Sequence, residues 1–205
     1  SYKGKRITVI STGIGTDNID IVFNELDALV NIDFKTKTIK KEHTQLDIIR
    51  VGTSGAIQPE IPIDSFLISE KAIGFDSLLH FYANTDFLDR SFSEAFVNQT
   101  HWSKEKSAPY VVAADKALMA IFTSEIMFHG VTATNVGFYG PQGRQLRLAL
   151  ADDTLNDKLQ QFLYQGSRIT NLEMETAGIY GLATLFGHRA ISLNAILANR
   201  PNGTF

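Results

Sequence analysis

Short apolar strands alternating with amphipathic helices are the feature that most constrains how this chain can fold. Residues 7–10 form a β-branched run, a Ser-Thr-Gly-Ile-Gly turn follows, and apolar residues then recur at helical spacing. Asp17 or Asn18 is the expected N-cap of that helix. Strands and helices that alternate in this way predict a mostly parallel sheet with helices on both faces.

The remaining elements continue the same alternation. Further strands are predicted at residues 47–51, 65–69, 131–138 and 190–198, and further helices at residues 113–129, 155–164 and 172–186. Residues 73–110 contain five Phe without a clean period and are predicted to be a loop-rich insertion over a cleft. Because no linker, repeat or low-complexity tract interrupts the chain, residues 1–205 are expected to form a single-domain α/β sandwich.

Composition excludes several classes of protein. Hydrophobic residues make up 44% and charged residues 20% of the 205 residues, which is globular rather than disordered usage. Nineteen Lys and Arg against 22 Asp and Glu give a net charge of −3, which argues against a nucleic-acid partner. No apolar run reaches the roughly 18 residues that span a bilayer, so no membrane contact is expected. The absence of Cys is compatible with a reducing, cytoplasmic compartment.

The candidate binding and catalytic residues directly follow predicted strands. In open α/β sheets, ligands bind just outside the carboxyl ends of the strands. Arg50 precedes a Gly-Thr-Ser-Gly segment, and together they could hold phosphate oxygens; the alternative is a plain turn with a surface arginine. Gly15 could add a backbone N–H. The Gly-Ile-Gly of residues 13–15 lacks the third glycine of a dinucleotide site, so no nucleotide cofactor is expected.

A second candidate group lies on the loop after residue 138. Gln142 and Arg144 could match the edge of a ring with two carbonyls flanking one N–H, as in uracil, because a Gln amide both donates and accepts. Phe138 could pack against such a ring. The alternative is an ordinary solvated loop.

The Glu-Met-Glu of residues 173–175 is predicted to lie in the first helical turn, capped by Asn171. Carboxylates there could simply favour the positive end of the helix dipole. The functional alternative is that one of them accepts hydrogen bonds from sugar hydroxyls, with Met174 as an apolar neighbour.

Other types of chemistry have little support. The five His are scattered without metal-ligand spacing, so no metal site is expected. The chain has neither Cys nor a Gly-x-Ser-x-Gly motif, which argues against the common covalent nucleophiles.

Five segments in order resemble the uridine phosphorylase branch of the nucleoside phosphorylase superfamily. They are STGIGTDN (11–18), RVGTSGAIQP (50–59), GFYGPQGR (137–144), NLEMET (171–176) and ILANR (196–200). The resemblance implies an α/β sandwich around a mixed, largely parallel, barrel-like sheet. It also implies reversible phosphorolysis of uridine to uracil and ribose 1-phosphate, with inorganic phosphate as co-substrate and no cofactor. It further implies cytoplasmic nucleoside salvage and a homo-oligomer, a hexamer built from dimers.

The resemblance also implies roles for individual residues. Those implied to bind phosphate are Arg50 and Thr53, which Gly15 could assist. Those implied to contact the base are Phe138, Gln142, Arg144, Ile196, Leu197 and Arg200. Those implied to contact the ribose are Thr53, Met174 and Glu175. Catalysis would rest on Arg50, Gln142, Arg144 and Arg200, by positioning the reactants and stabilising charge on the departing base.

Departures from the family pattern leave alternatives. Purine-specific relatives have an Asp where Asn199 stands, and an amide cannot protonate a purine, so pyrimidine is favoured. The family's Gly-Asp-Pro-x-Arg phosphate loop and its C-terminal helical segment have no counterpart, so we expect a chain truncated at both ends and inactive by itself. A purine or broad-specificity phosphorylase, or a non-catalytic nucleoside-binding protein, are the alternatives.

Overall fold

Strands and helices alternate along most of the chain in a computed structural model that describes residues 3–4 and 6–204. The helices are α1 (Thr16–Asn31), α2 (Arg90–Thr100), α3 (Lys116–Phe122), α4 (Leu155–Gln161) and α5 (Thr176–Phe186). The strands are β1 (Ile32–Asp33), β2 (Thr38–Ile39), β3 (Asp47–Ala56), β4 (Phe66–Gly74), β5 (Tyr110–Ala113), β6 (Met127–Thr134), β7 (Leu163–Tyr164), β8 (Ser167–Glu173) and β9 (Arg189–Asn199). Strands β1 and β2 form a separate small hairpin.

Five strands close into a ring. Their order is β3, β9, β4, β6 and β8, and β8 pairs again with β3 where Leu172 lies opposite Gly55. The pairs β3–β9, β4–β6 and β6–β8 are parallel, whereas β4–β9 and β3–β8 are antiparallel. Strands β5 and β7 pair with β4 and β8 outside the ring. The expected α/β fold with a mixed, barrel-like sheet is therefore confirmed.

A belt of hydrogen-bonded polar side chains, the polar belt, follows this ring. The amide of Asn171 donates to Ser54 Oγ at 2.9 Å and accepts from Thr132 Oγ1 at 2.8 Å. Thr132 in turn bonds Ser69, and Asn194 Nδ2 donates to Ser69 Oγ at 3.0 Å. All five side chains are buried. Since buried polar groups are costly unless paired, the belt favours the one register in which every partner is met.

Helix α5 is buried on all sides over its first eight residues. The hydroxyl of Tyr180 donates to the carbonyl of Ser69 at 2.6 Å and accepts from the backbone N–H of Ser192 at 2.9 Å. A Cβ at Gly181 would overlap Leu79, so glycine allows the close approach of that side chain. The start of α5 is thereby held against β4 and β9.

The single helix predicted for residues 113–129 is wrong. The segment contains the end of β5, helix α3 and the start of β6. The carboxylate of Asp115 caps α3 by accepting from the backbone N–H of Leu118 at 2.9 Å, and α3 ends where Thr123 becomes extended. Gly130 lies within β6, where a Cβ would overlap Thr170, and does not stop a helix. Apolar residues in a short helix followed by a buried strand imitate one longer helix.

The loop-rich insertion predicted for residues 73–110 is also wrong in part, because it contains α2. Asp89 caps this helix by accepting from the backbone N–H of Phe92 at 3.1 Å. Phe92 and Phe96 are fully buried, and the ring centroid of Phe96 lies 5.4 Å from that of Phe75. The i, i+4 spacing of the two helical Phe was the helical signal in this segment.

The beginning of the chain differs from expectation as well. Residues 7–10 are not a strand, and Val9 is 90% exposed. Among the described residues no strand pairs with them, and a strand is defined by its partner. Helix α1 begins with Gly15 as the N-cap and without a side-chain cap, in place of the predicted Asp17 or Asn18.

We predict that Phe96→Ala lowers the free energy of unfolding by about 3–5 kcal/mol, because it opens a cavity in a fully buried aromatic cluster. Phe81→Ala is the matched control: its ring is 83% exposed, and its loss should cost about 0.5 kcal/mol or less. Denaturant unfolding measures both. Equal losses would contradict the assignment of Phe96 to the core.

Candidate active site

Arg50 lies at the centre of a buried ionic cluster. Its Nη2 donates to Glu175 Oε2 at 2.7 Å and lies 3.1 Å from Glu173 Oε2. Its Nη1 donates to Asn194 Oδ1 at 3.0 Å, which joins the cluster to the polar belt. The side chains of Arg50, Glu173 and Glu175 are 12%, 2% and 11% exposed. The alternative of a surface arginine on a plain turn is therefore wrong, and residues 50–55 lie within β3.

Two carboxylates face the one guanidinium in this cluster. Burial by itself disfavours the charge on Arg50, but attraction to Glu173 and Glu175 outweighs burial and raises the pKa of Arg50 above its ordinary value. Both terminal nitrogens of Arg50 already donate to protein acceptors, so an anion that contacts Nη2 competes with these carboxylates.

Gly52 makes room for the guanidinium. A Cβ at this position would lie 2.5 Å from Nη1 and 2.6 Å from Cζ of Arg50. Such distances are far below van der Waals contact, so any side chain here would displace Arg50. Glycine is thus required at position 52 for the guanidinium of Arg50 to pack there.

Glu173 caps helix α5 from the end of β8. Its Oε2 accepts from the backbone N–H groups of Glu175 at 2.8 Å and Thr176 at 2.9 Å, and its Oε1 accepts from Thr134 Oγ1 at 2.6 Å. The helix predicted to start at residue 172 with Asn171 as its cap is wrong, since both residues belong to β8. The sequence left open which of the two glutamates contacts a ligand, and the family resemblance assigned a role to Glu175 alone; the contact of Glu173 with Arg50 was not predicted.

Glu175 connects Arg50 to the start of helix α1. Its Oε2 bonds Arg50, and its Oε1 accepts from the backbone N–H of Gly15 at 2.9 Å. The N–H that was expected to assist phosphate is therefore already bonded in this state. Met174 lies between the two glutamates in sequence and is half-buried.

Thr53 is separated from this cluster. It is exposed on β3, and three residues along a strand place a side chain on the opposite face from Arg50. The structure therefore brings together Arg50, Glu175 and Gly15, but does not place the Thr53 side chain beside them.

A second cluster, the loop cluster, consists of Phe138, Gln142, Arg144 and Arg200. Arg144 Cζ lies 3.7 Å from the centroid of the Phe138 ring, and Arg144 Nη1 donates to Phe138 O and to Gln142 Oε1, both at 2.6 Å. Arg200 Nη2 donates to Gln142 Oε1 at 3.3 Å, and its Nη1 donates to Gln142 O. Two segments far apart in sequence thus meet at one amide.

The loop cluster holds two arginines without a counter-charge. Among the described residues, no carboxylate forms an ion pair with Arg144 or Arg200. Burial lowers the pKa of Arg144, and burial with repulsion from Arg144 lowers the pKa of Arg200 to about 10. Both remain charged at neutral pH, so the cluster favours a ligand rich in acceptors or negative charge.

Gln142 is almost fully buried and presents only a donor. Its Oε1 accepts from both arginines, whereas its Nε2 has no hydrogen-bond partner within residues 3–4 and 6–204. The expectation that this amide both donates and accepts toward a ring holds only if an arginine first leaves Oε1.

The residues at the end of β9 have separate environments. Ile196 is fully buried in an apolar cluster with Ala56, Ile61 and Leu67, whereas Leu197 is 55% exposed. The buried amide of Asn199 donates to the carbonyls of Gln58 and Ile61 and accepts from the backbone of Asn202. Asn199 therefore holds the turn after β9.

Both clusters lie along strand β3. Arg200 Nε is 3.9 Å from where a Cβ of Gly55 would be, and Arg50 lies five residues earlier on the same strand. At about 3.3 Å per residue the two strand positions are roughly 16 Å apart.

The described part of the chain contains neither a cluster of metal ligands nor a membrane-spanning helix. No group of three or more His, Asp or Glu is placed to hold a metal ion. No helix there is long and apolar enough to cross a membrane.

The family described as the phosphorylase superfamily matches residues 1–204. The chain belongs to the phosphorylase superfamily. This superfamily member is 31% identical over 211 residues to a uridine phosphorylase of Thermococcus kodakarensis, and 24% identical over 195 residues to a DeoD-type purine nucleoside phosphorylase of Bacillus subtilis. It spans 62% and 64% of the lengths of these relatives, which match 100% and 94% of the chain.

Solved structures show the same fold. A Trypanosoma brucei nucleoside phosphorylase, described as showing uridine phosphorylase activity, superposes with a TM-score of 0.82 at 27% identity. That match covers 100% of this chain and 75% of the other. A uridine phosphorylase of Phytophthora capsici superposes with a TM-score of 0.58 at 24% identity, over 95% of this chain and 65% of the other, which supports the fold alone.

We predict that Gly52→Ala lowers the free energy of unfolding by about 1–3 kcal/mol, because the new methyl group pushes Arg50 away from its carboxylates. Gly55→Ala on the same strand is the matched control, since its Cβ would meet no atom closer than 3.9 Å. It should change stability by less than about 0.5 kcal/mol. Thermal and denaturant unfolding of both variants provide the measurement, and a Gly55→Ala variant as unstable as Gly52→Ala would refute the packing explanation.

Proposed function

We propose that the protein containing this chain catalyses reversible phosphorolysis of uridine, giving uracil and ribose 1-phosphate, with inorganic phosphate as co-substrate and no organic cofactor. The observation that carries the proposal is the loop cluster, in which Gln142, Arg144 and Arg200 converge and no described carboxylate pairs with either arginine. Membership of the phosphorylase superfamily and the similarity to proteins named uridine phosphorylase support it.

The loop cluster suits a leaving pyrimidine. When the glycosidic bond breaks, negative charge develops on the carbonyl oxygens of uracil, and donors already in place there lower the barrier. Gln142 Nε2 is free to donate, and Arg144 can rotate from Gln142 Oε1 toward a ring carbonyl. That movement would leave Oε1 able to accept the ring N–H.

The Arg50 cluster has groups suited to binding the phosphate and the ribose. Phosphate would replace Glu175 at Arg50, and the released carboxylate would then be able to accept hydrogen bonds from ribose hydroxyls beside Met174. Glu173 would stay in place, because two backbone N–H groups and Thr134 hold it. Phosphate binding and ribose binding would thus assist each other. Thr53 remains a predicted ligand that would need to act from the other face of β3.

Purine nucleosides are the second candidate substrates. Relatives named as DeoD-type purine nucleoside phosphorylases reach 31% identity, in Geobacillus kaustophilus. Against purines, position 199 holds an amide, which cannot protonate a purine ring, and its hydrogen bonds already hold the turn after β9. A non-catalytic nucleoside-binding protein is the third candidate. Hexameric assembly, a cytoplasmic location and a role in pyrimidine salvage belong to the same proposal and rest on the family resemblance.

We predict that the full-length protein releases free base from uridine much faster than from inosine or adenosine, and only with phosphate present. Arg144→Ala should lower kcat with uridine about 100-fold or more, as expected for a donor aimed at developing charge. Arg147→Ala is the matched control, because this exposed arginine lies three residues further along the same segment. It should retain full activity.

The assay separates the three candidates. Base release from inosine or adenosine at the rate of uridine would favour a purine or broad-specificity enzyme. Nucleoside binding without phosphate-dependent release would favour a binding protein. An unchanged kcat in Arg144→Ala would remove Arg144 from the uracil site.

We predict that Arg50→Lys raises the KM for phosphate about tenfold or more while leaving the KM for uridine within about threefold, because a lysine cannot bond two partners with a planar fork. Arg189→Lys is the control: Arg189 forms a more exposed fork to Asp47 on the neighbouring strand. Steady-state kinetics with each substrate varied in turn measure both. A phosphate KM unchanged by Arg50→Lys would contradict the phosphate role.

A further inference from the structure

The two terminal nitrogens of Arg50 have partners of different kinds. Nη2 contacts two carboxylates, Glu175 Oε2 at 2.7 Å and Glu173 Oε2 at 3.1 Å. Nη1 contacts two neutral groups of strand β9, Asn194 Oδ1 at 3.0 Å and Ser192 Oγ at 3.3 Å. The guanidinium is therefore bonded to charged groups through one nitrogen and to neutral groups through the other.

Asn194 reaches Nη1 because the guanidinium lies across Gly52. In the parallel pairing of β3 with β9, Asn194 is the direct neighbour of Gly52. A Cβ on Gly52 would lie 2.5 Å from Nη1, so the missing side chain leaves the space that the guanidinium occupies beside Asn194. Asn194 is 1% exposed, and its contact with Nη1 is therefore shielded from water.

The amide of Asn194 has only one possible orientation. Arginine has no acceptor, so the atom that meets Nη1 must be the amide oxygen. The amide nitrogen then points into the polar belt, where it donates to Ser69 Oγ at 3.0 Å. Ser69 donates its own proton to Thr132, because Thr132 Oγ1 uses its proton on Asn171 Oδ1 at 2.8 Å. An amide that is engaged at both ends is a rigid support for the guanidinium.

The two nitrogens of Arg50 differ in what an incoming phosphate would change. Phosphate at Nη2 competes with Glu175, and the guanidinium loses part of its support when that carboxylate leaves. Asn194 is bonded to the other nitrogen and to the polar belt, so it stays in place and keeps the guanidinium aimed. Because Asn194 is neutral, it adds nothing to the negative charge of Glu173 and Glu175, which repels a phosphate dianion.

We propose that Asn194 is a positioning residue for phosphate binding: it holds Nη1 so that Nη2 faces the place from which Glu175 is displaced. This inference rests on the proposed function, because it takes phosphate as the ligand of Arg50. Asn194 itself contacts neither phosphate nor nucleoside and acts only through Arg50. Loss of its amide oxygen therefore weakens phosphate binding and leaves uridine binding unchanged.

Asn194→Leu tests the proposal, since leucine is similar in size and has no acceptor. We expect the KM for phosphate to rise at least about tenfold, as for one lost hydrogen bond to a charged group, and the KM for uridine to stay within about threefold. Asn31→Leu is the matched control. Asn31 is a buried amide at the end of α1 that bonds Asp27 and the backbone of Thr44, so its loss should lower stability without changing either KM.

Asn194→Thr is a second variant in case Asn194→Leu does not fold. Threonine suits a strand and keeps a hydroxyl for the polar belt, but its side chain is one bond shorter and does not reach Nη1. It should raise the KM for phosphate at least about fivefold. A second measurement needs no catalysis: added phosphate should raise the unfolding temperature of the wild type and of Asn31→Leu more than that of either Asn194 variant.

The two measurements separate this inference from the proposed function. A wild-type protein that phosphate stabilises but that releases no base from uridine would contradict the proposed function, and the unfolding temperatures would then decide the role of Asn194. Four results would overturn that role: an unchanged response to phosphate in the Asn194 variants, equal rises in the KM values for phosphate and uridine, an equally weakened response to phosphate in Asn31→Leu, or no stabilisation of the wild-type protein by phosphate.

Discussion

The buried charge of Arg50 is the constraint on which the centre of this molecule depends. A guanidinium that is 12% exposed is stable only with partners, and these come from three different elements. Glu173 approaches from the end of β8, Glu175 from the start of α5, and Asn194 from β9. The same partners continue into the polar belt, so the position of Arg50 is coupled to the register of the whole ring. The site and the fold therefore share one set of hydrogen bonds.

Much of the fold could be predicted from local sequence. The alternation of strands and helices, strand β9, the first half of β3 and the helix ending at Gly187 follow from periodicity and glycine alone. Local patterns failed where two short elements shared one apolar period, as in residues 113–129. They also failed for α2, because its two buried Phe residues are separated by polar residues in the sequence. Closure of the ring could not be derived, because the contact of Gly55 with Leu172 joins residues 117 positions apart.

The candidate site could likewise be predicted only in part. Gln142 and Arg144 are neighbours in sequence and were readily paired, and the family resemblance added Arg200. What sequence could not supply was the direction of each polar atom. That Gln142 presents only its Nε2, that Asn199 bonds the turn after β9, and that Gly15 already bonds Glu175 all depend on side chains brought together by the closed ring. Glu173 resembled a simple helix-end carboxylate, and it does cap α5, but it also contacts Arg50.

The carboxylates beside Arg50 have a consequence for how the two clusters respond to ionic strength. Arg50 carries its counter-ions within the protein, so an anion that binds there exchanges with a carboxylate and releases little from solution. Arg144 and Arg200 have no carboxylate partner among the described residues and, at neutral pH, must draw their neutralising ions from the solvent. Salt should therefore compete at the loop cluster and much less at Arg50, since buried pairs are screened far less than open ones. One small chain would thus hold two arginine clusters that differ in their sensitivity to salt.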